Sequence, residues 1–172
     1  ALMFVFIARA GAAGQIVLDK RAIPIINKGV AFLEAEAKQR NSSIAAGRLL
    51  LAAYALLKVG RPVNHPIVVS AIEFILKDQD PEAEMYKPEF EEKGVYDAGL
   101  AIMLLAEVDP KKHLPTMEKI VKYFVDRQLP DGAWTYPKET VGDTSMTQYA
   151  ILGLWAAQRS GVDVPIEVWN KA

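Results

Sequence analysis

Two nine-residue segments of the chain repeat each other at a distance of 49 positions. Residues 71–79 (AIEFILKDQ) align without gaps on residues 120–128 (IVKYFVDRQ), and the later segments 100–103 and 149–152 keep the same offset. Periods of about 40 to 50 residues are typical of proteins built from stacked supersecondary units. The sequence therefore predicts a repeat protein.

Each repeat unit has the pattern of two helices. Apolar residues recur at three- and four-residue spacing, which predicts helices over 23–39, 43–59, 66–78, 95–107, 113–129 and 145–160. Pro66 and Pro115 fit the first turn of a helix. Gly60 and Gly161 fit the left-handed position just after a helix end. The predicted fold class is all-α, with about three helical hairpins.

The second helix of each pair is the more apolar one. Residues 49–57 (LLLAAYALL), 100–106 (LAIMLLA) and 149–157 (YAILGLWAA) carry no charge. A helix that is apolar on all sides is buried on all sides. We therefore expect an α/α toroid-type array, as a partial or half ring, with these helices inside and the first helices outside. We expect the repeat domain to span 20–172 and to be truncated at both ends.

The first 19 residues have a different character. Residues 2–8 (LMFVFIA) are apolar, and small residues follow at 10–14 (AGAAG), which is the pattern of a secretory signal peptide without its basic start. We interpret residues 1–19 as the remnant of a signal peptide and a linker. This predicts export to a periplasmic or other extracytoplasmic compartment. The alternative is an apolar segment that packs on a cytoplasmic protein.

Composition excludes several function classes. The formal net charge of -1 argues against nucleic-acid binding, which needs a basic surface to neutralise phosphates. The chain has no cysteine, so disulfides, thiol nucleophiles and cysteine-containing zinc sites are excluded. The apolar run at the start is too short to span a bilayer as a helix.

Residues 123–134 (YFVDRQLPDGAW) carry a family resemblance. The spacing of Gln128, Gly132 and Trp134 resembles the Gln-Trp repeat motif of squalene–hopene and oxidosqualene cyclases. The same α/α arrangement occurs in protein prenyltransferase β-subunits. The resemblance covers most of residues 23–172 and implies a structural role for the three residues. We expect the Gln128 amide to lie on the Trp134 ring and to satisfy groups at a helix end.

The resemblance implies a catalytic acid that this chain does not match. Class II cyclases protonate their substrate with the middle Asp of an Asp-x-Asp-Asp-Thr loop. Residues 140–144 (TVGDT) place Gly142 at the position of the proton donor, although Asp143 and Thr144 match the last two positions. Residues 78–81 (DQDP) hold two acids at the end of an outer helix. We interpret neither segment as a competent acid site, so no catalytic residue is predicted.

Metal and cofactor sites are not predicted either. The related prenyltransferases hold zinc with Asp, Cys and His, and this chain has no Cys. His65 and His113 lie between helix pairs. We expect both to be solvated residues of a loop or of the first turn of a helix.

Polar and aromatic residues gather at the start of the inner helices. In a ring of this type these helix ends line the mouth of the cavity, so we expect ligand contacts from Tyr96, Asp97, Tyr136, Asp143, Gln148 and Tyr149. Asp97 and Asp143 equally fit helix caps, where a carboxylate accepts hydrogen bonds from free amides. We favour that interpretation. Ser145 and Gln148 have the spacing of a capping box.

Three functions remain open from the sequence. The first is a non-catalytic repeat domain that binds a protein or an apolar, isoprenoid-like ligand. The second is a fragment of a terpenoid cyclase or related isoprenoid enzyme whose catalytic acid lies outside this chain. The third is a helical solenoid without a cavity, of the tetratricopeptide or HEAT type, which the long loop at 79–95 and the Gln128–Trp134 motif fit poorly.

Overall fold

The computed structural model describes residues 20–38, 46–77, 79–88 and 91–172. Within these ranges the regular elements are all helical: α1 (Ile23–Lys38), α2 (Ala46–Lys58), α3 (Pro66–Leu76), a single 3₁₀ turn (Glu91–Lys93), α4 (Gly94–Val108), α5 (Leu114–Arg127), α6 (Thr144–Arg159) and α7 (Ile166–Lys171). The all-α prediction is confirmed. The prediction for residues 1–19 lies outside the described residues, as does Asp78. None of the described helices is long and apolar enough to cross a membrane.

The glycines and the proline that were predicted to end or begin helices do so in the structure. Gly60 and Gly161 have φ angles of +83° and +96°, the left-handed conformation that glycine adopts without strain. After each glycine, the next amide bonds back to a carbonyl in the last turn, at 2.9 Å after α2 and 3.1 Å after α6, which is a Schellman closure. Pro66 begins α3, and the His65 side chain caps it.

The inner layer consists of α2, α4 and α6, with α4 in the middle. Residues of α4 are buried on every side of the helix, including Leu104 and Leu105. The prediction that all three inner helices are buried on both sides is correct for α4 and wrong for the other two. Leu51 on α2 is 46% exposed and Trp155 on α6 is 43% exposed, because in the described part of the chain each of these helices has an inner neighbour on one side only.

Neighbouring inner helices run parallel and in the register of the repeat. Lys58 at the end of α2 pairs with Glu107 at the end of α4, and these two residues are 49 positions apart. At the start of the helices the Tyr96 hydroxyl lies 2.5 Å from the Ser145 hydroxyl, again across 49 positions. Residues 49 positions apart in the sequence therefore lie side by side on neighbouring inner helices.

The inner helices α4 and α6 approach each other at two glycines. A Cβ on Gly153 would lie 3.0 Å from the Cα of Gly99, and a Cβ on Gly99 would lie 2.5 Å from the carbonyl oxygen of Tyr149. A real Cβ does not fit at the second distance without moving the backbone of α6. Glycine is therefore needed at position 99 for close approach rather than for an unusual φ angle.

The outer layer is uneven. The buried residues of α5 include Met117, Ile120 and Phe124, which is the apolar face expected of an outer helix. In contrast, α1 is largely exposed, and its Phe32 is 62% exposed. Phe74 of α3 is partly buried. The two outer helices α1 and α3 therefore bury their phenylalanines to different extents.

We predict that Gly99→Ala destabilises the protein and that Gly29→Ala does not. The new methyl group at position 99 would meet the backbone of Tyr149, and such overpacking costs about 1–3 kcal/mol. At Gly29, in α1, nothing lies within 4 Å of the new Cβ. The higher helix propensity of Ala should therefore increase the free energy of unfolding, by about 1 kcal/mol at most. Urea unfolding measures both. Equal changes in the free energy of unfolding would contradict the close contact.

Candidate ligand site

Three tyrosines predicted to contact a ligand lie together at the start of α4 and α6. The ring centroids of Tyr96 and Tyr149 are 4.9 Å apart, in an edge-to-face arrangement. The centroids of Tyr96 and Tyr136 are 6.4 Å apart. Both distances fall in the range of about 4.5–7 Å at which aromatic pairs attract each other. We refer to Tyr96, Tyr136 and Tyr149 as the tyrosine cluster.

A chain of hydrogen bonds joins the tyrosine cluster to Asp143. The Tyr96 hydroxyl lies 2.5 Å from Ser145 Oγ, and Ser145 Oγ donates to Asp143 Oδ1 at 2.6 Å. The same Asp143 oxygen accepts from the backbone amide of Met146 at 2.8 Å. Ser145 was not among the predicted ligand residues, and only its repeat position, 49 residues after Tyr96, could have indicated this contact.

Asp143 is the N-cap of α6, as the favoured interpretation predicted. Hydrogen bonds from the Ser145 side chain and from the Met146 amide hold the pKa of Asp143 below its usual range. The group is therefore a carboxylate at neutral pH and a poor proton donor. The predicted capping box, with Ser145 as the N-cap and Gln148 three residues later, is wrong. The helix begins at Thr144 rather than at Ser145, and the Ser145 side chain donates to the N-cap residue Asp143.

Asp97 and Gln148 take no part in this hydrogen-bond chain. Asp97 lies in the first turn of α4, where the helix dipole favours a carboxylate, but the N-cap position is Lys93, so Asp97 is not the N-cap. Its side chain is only 3% exposed and lies against α2, where a Cβ on Gly47 would be 3.0 Å from Asp97 Oδ1. Gln148 is exposed on α6. Ligand contact by either residue stays a prediction.

A cleft of about 250 Å³ lies beside Tyr136, between the starts of α4 and α6 and the end of α5. Its apolar and aromatic wall is formed by Val95, Tyr123, Leu129, Tyr136, Pro137 and Met146. Its polar groups come from Glu91, Arg127, Thr135 and Glu139. The sequence predicted only Tyr136 of this set, because the other residues come from separate elements that no local pattern connects.

The cation of the cleft, Arg127, is engaged with neighbouring side chains. The Arg127 guanidinium lies 4.2 Å from the centroid of the Tyr123 ring, a cation–π contact, and its Nη1 is 3.4 Å from Asp126 Oδ2. Burial raises the pKa of Tyr123 to about 12, so this phenol keeps its proton at any ordinary pH.

The segment after α5 is held by Gln128 and Gly132. The Gln128 amide donates to the carbonyl of Gly132 at 2.9 Å and to the carbonyl of Val168 in α7 at 3.0 Å. Gly132 has a φ of +89°, and a Cβ there would lie 1.8 Å from the carbonyl oxygen of Lys171. These contacts give both residues a structural role between α5 and α7.

Trp134 connects the outer helix α5 to the inner helix α6. Its side chain is fully buried, and its indole N–H donates to the carbonyl of Phe124 at 2.9 Å. Its backbone N–H donates to the Thr147 hydroxyl at 3.0 Å. The expected stacking of the Gln128 amide on the Trp134 ring stays a prediction.

The two histidines lie at the starts of outer helices, as predicted. His65 caps α3 by accepting from the Ile67 amide at 3.3 Å. His113 precedes α5 but is buried rather than solvated, and this burial, aided by Lys112, lowers its pKa. Within the described ranges, no three His, Cys, Asp or Glu side chains come together as a metal site would require.

Gly142 occupies the place where the resemblance would put a proton donor. A Cβ at this position would lie 2.3 Å from the Cβ of Ala133, so the local packing leaves no room for an Asp. Asp143 next to it is a helix cap whose pKa is lowered, and the interpretation that residues 140–144 are not an acid loop stays a prediction.

The fold and the site define an α/α repeat protein with an aromatic cleft at the start of its inner helices. The family model of the squalene-hopene cyclase C-terminal domain matches residues 18–164. The chain therefore belongs to the squalene-hopene cyclase C-terminal domain family. No curated protein matches the chain, and no solved structure does.

We predict that Gln128→Ala destabilises the protein by about 1–3 kcal/mol, the usual cost of leaving a buried polar group without a partner. The carbonyls of Gly132 and Val168 each lose a donor in this variant, and within the described ranges only the Val168 carbonyl keeps another one, the Ala172 amide at 3.3 Å. Gln158→Ala, on the exposed side of α6, is the matched control and should change the free energy of unfolding by less than about 0.5 kcal/mol. Similar losses in the two variants would contradict the structural role of Gln128.

We also predict that Asp143→Asn changes how stability depends on pH. Because the folded pKa of Asp143 is lowered, its contribution is fully present above the unfolded value of about 3.9 and is lost as the pH falls through the folded pKa. Asn still caps helices. The stability difference between wild type and variant should therefore be larger at pH 7 than at pH 2.5, as measured by urea unfolding.

The exposed residue Asp163 supplies the control for this pH comparison. Asp163→Asn removes one negative charge without touching the cap of α6. If the difference in the free energy of unfolding between wild type and Asp143→Asn does not change with pH, the ionised Asp143 does not stabilise the start of α6 as described.

Proposed function

We propose that this chain is a non-catalytic domain of the squalene-cyclase kind that binds an apolar, isoprenoid-like ligand at the start of α4 and α6. The observation that carries the proposal is the cleft beside the tyrosine cluster, whose wall combines aromatic and aliphatic side chains. Small-molecule sites are typically clefts of this kind, mostly apolar, with a few polar groups that fix orientation.

The size of the cleft limits what it can hold. Its volume of about 250 Å³ is somewhat below the range of about 300–1,000 Å³ that is usual for drug-sized ligands. A long isoprenoid would therefore place one end in the cleft. The rest of the molecule would extend along the tyrosine cluster, where Tyr136 is 38% exposed.

The non-catalytic part of the proposal rests on residues 140–144. Acid catalysis needs a carboxylic acid whose pKa is raised towards the working pH. The pKa of Asp143 is shifted in the opposite direction, and the packing of Gly142 against Ala133 excludes an acid there. Both observations support ligand binding without turnover by these residues.

The family membership supports a second candidate function. The matched family is a cyclase domain, so this chain could contribute one wall of a larger enzyme whose acid lies on another part of the protein. In that case the cleft would hold substrate during a reaction that this chain does not itself catalyse.

We predict that farnesol, a C15 isoprenoid alcohol, raises the melting temperature of the protein. A ligand present at 100 times its Kd stabilises by about 2.7 kcal/mol, and each kcal/mol shifts Tm by about 2–4 °C for a domain of this size. Tyr136→Ala removes one wall of the cleft and should reduce the shift. Differential scanning fluorimetry over a farnesol series measures both.

The matched control is Phe32→Ala, which removes another exposed aromatic ring, on α1. This variant should retain the full farnesol shift. The absence of any shift up to the solubility limit, or an equal shift in Tyr136→Ala, would contradict binding at the cleft. A cyclised hydrocarbon formed from squalene by this chain alone, seen by mass spectrometry, would contradict the non-catalytic assignment.

A further inference from the structure

The segment between Trp134 and Asp143 is fixed at its two ends and exposed in between. The Asp143 amide donates to the carbonyl of Trp134 at 2.9 Å, which we call the base bond, and the Trp134 side chain is fully buried. Residues 136–141 are all exposed, and Val141 is 77% exposed. We refer to residues 135–141 as the turn segment. Its ends are held by the helices, and its middle is in contact with solvent.

The turn segment contains a backbone conformation that its sequence does not favour. The Glu139 amide donates to the carbonyl of Tyr136 at 3.1 Å. This turn bond closes a β-turn with Pro137 and Lys138 at its centre. Because proline fixes its own φ at a negative value, the φ of +71° at Lys138 makes the turn type II. Type II turns favour Gly or Asn at this position, so the backbone at Lys138 is strained.

The strain at Lys138 favours opening of the turn. Among the described residues Lys138 is the one non-glycine residue with a positive φ. Residues in such conformations are frequent at ligand clamps and switch regions. The side chain of Lys138 is exposed, so packing around it does not hold this conformation. A return to a negative φ would break the turn bond and leave the base bond in place.

The turn segment also forms an exposed wall of the cleft. Its contribution to the lining consists of Thr135, Tyr136, Pro137 and Glu139. The same cleft is lined by apolar side chains of α4, α5 and α6 that are 3%, 2% and 0% exposed, which are Val95, Tyr123 and Met146. We refer to these three residues as the buried wall. An apolar ligand is stabilised by contact with apolar surface, and the buried wall offers almost none while the cleft has this shape.

We propose that the turn segment is a lid, closed in this structure, whose opening admits an apolar ligand to the buried wall. The lid opens when the turn bond breaks and Lys138 relaxes, and the base bond is its fixed end. The ring of Tyr136 lies 6.4 Å from that of Tyr96 between centroids, and this contact holds the closed lid against α4. The inference rests on the proposed function, because it describes how the ligand of that same site enters.

Amide hydrogen exchange tests the opening of the lid without any ligand. The Glu139 amide makes the turn bond and the Asp143 amide makes the base bond. Local opening exposes an amide at a lower free energy than global unfolding, so the protection factor of Glu139 should be at least about tenfold below that of Asp143. Nuclear magnetic resonance measures both amides in one sample.

Two variants of Lys138 separate the backbone strain from the charge. Lys138→Gly removes the strain, since glycine takes a positive φ without a steric penalty, and it should raise the protection of the Glu139 amide by about fivefold. Lys138→Gln removes the charge and keeps the strain, so its Glu139 protection should equal that of wild type. The protection of Asp143 should be the same in all three proteins.

The same variants test whether the lid controls ligand entry. The lid is closed both before and after farnesol binds, so a more stable closed lid slows association and dissociation alike. Lys138→Gly should therefore lower both rate constants by about fivefold and change Kd by less than about twofold. Lys138→Gln should match wild type. Stopped-flow measurements of intrinsic fluorescence with farnesol give both rate constants.

The outcomes separate this inference from the proposed function. Equal protection of Glu139 and Asp143 in wild type would overturn the lid, because the turn would then open only together with the helices. Farnesol rate constants that are the same in Lys138→Gly and wild type would overturn it too, while isoprenoid binding itself would stand. If farnesol does not bind wild type, both proposals fail, whatever the exchange of Glu139 reports.

Discussion

The contact between Gly99 and Gly153 sets the distance between α4 and α6, and the site depends on that distance. With the backbones of the two helices in contact, Tyr96 on one helix can reach Ser145 on the other, and the ring of Tyr149 lies against that of Tyr96. A larger residue at either glycine would separate these pairs. The fold and the candidate ligand site therefore share one packing constraint.

A second set of structural residues places Tyr136. The segment between α5 and α6 is anchored by the buried indole of Trp134, which bonds to the last turn of α5, and by Gln128, which bonds to α7. Tyr136 follows two residues after Trp134 and so lies beside the start of α6. The residues that carry the family resemblance thus act on the candidate ligand site indirectly, by fixing the loop that bears Tyr136.

The helices and the layers could be predicted because their causes are local or periodic. Apolar spacing identifies a helix, and Gly60 and Gly161 end helices by their own conformational freedom. The site could be predicted only in part. Tyr96 and Tyr149 belong to the starts of inner helices, but the roles of Ser145, Tyr123 and Arg127 depend on contacts between elements far apart in sequence. The burial of Asp97 against α2 likewise depends on Gly47, 50 positions earlier, which no helix pattern reveals.

The central claim is that an isoprenoid binds where α4, α6 and the segment after α5 meet. Amide chemical shifts in a nuclear magnetic resonance titration with farnesol test this most directly, because they report the location of binding as well as its occurrence. The account predicts that the perturbed amides cluster at Val95, Thr135, Tyr136 and Met146. Perturbations confined to the exposed faces around Phe32 or Trp155, with none at the cleft, would contradict it.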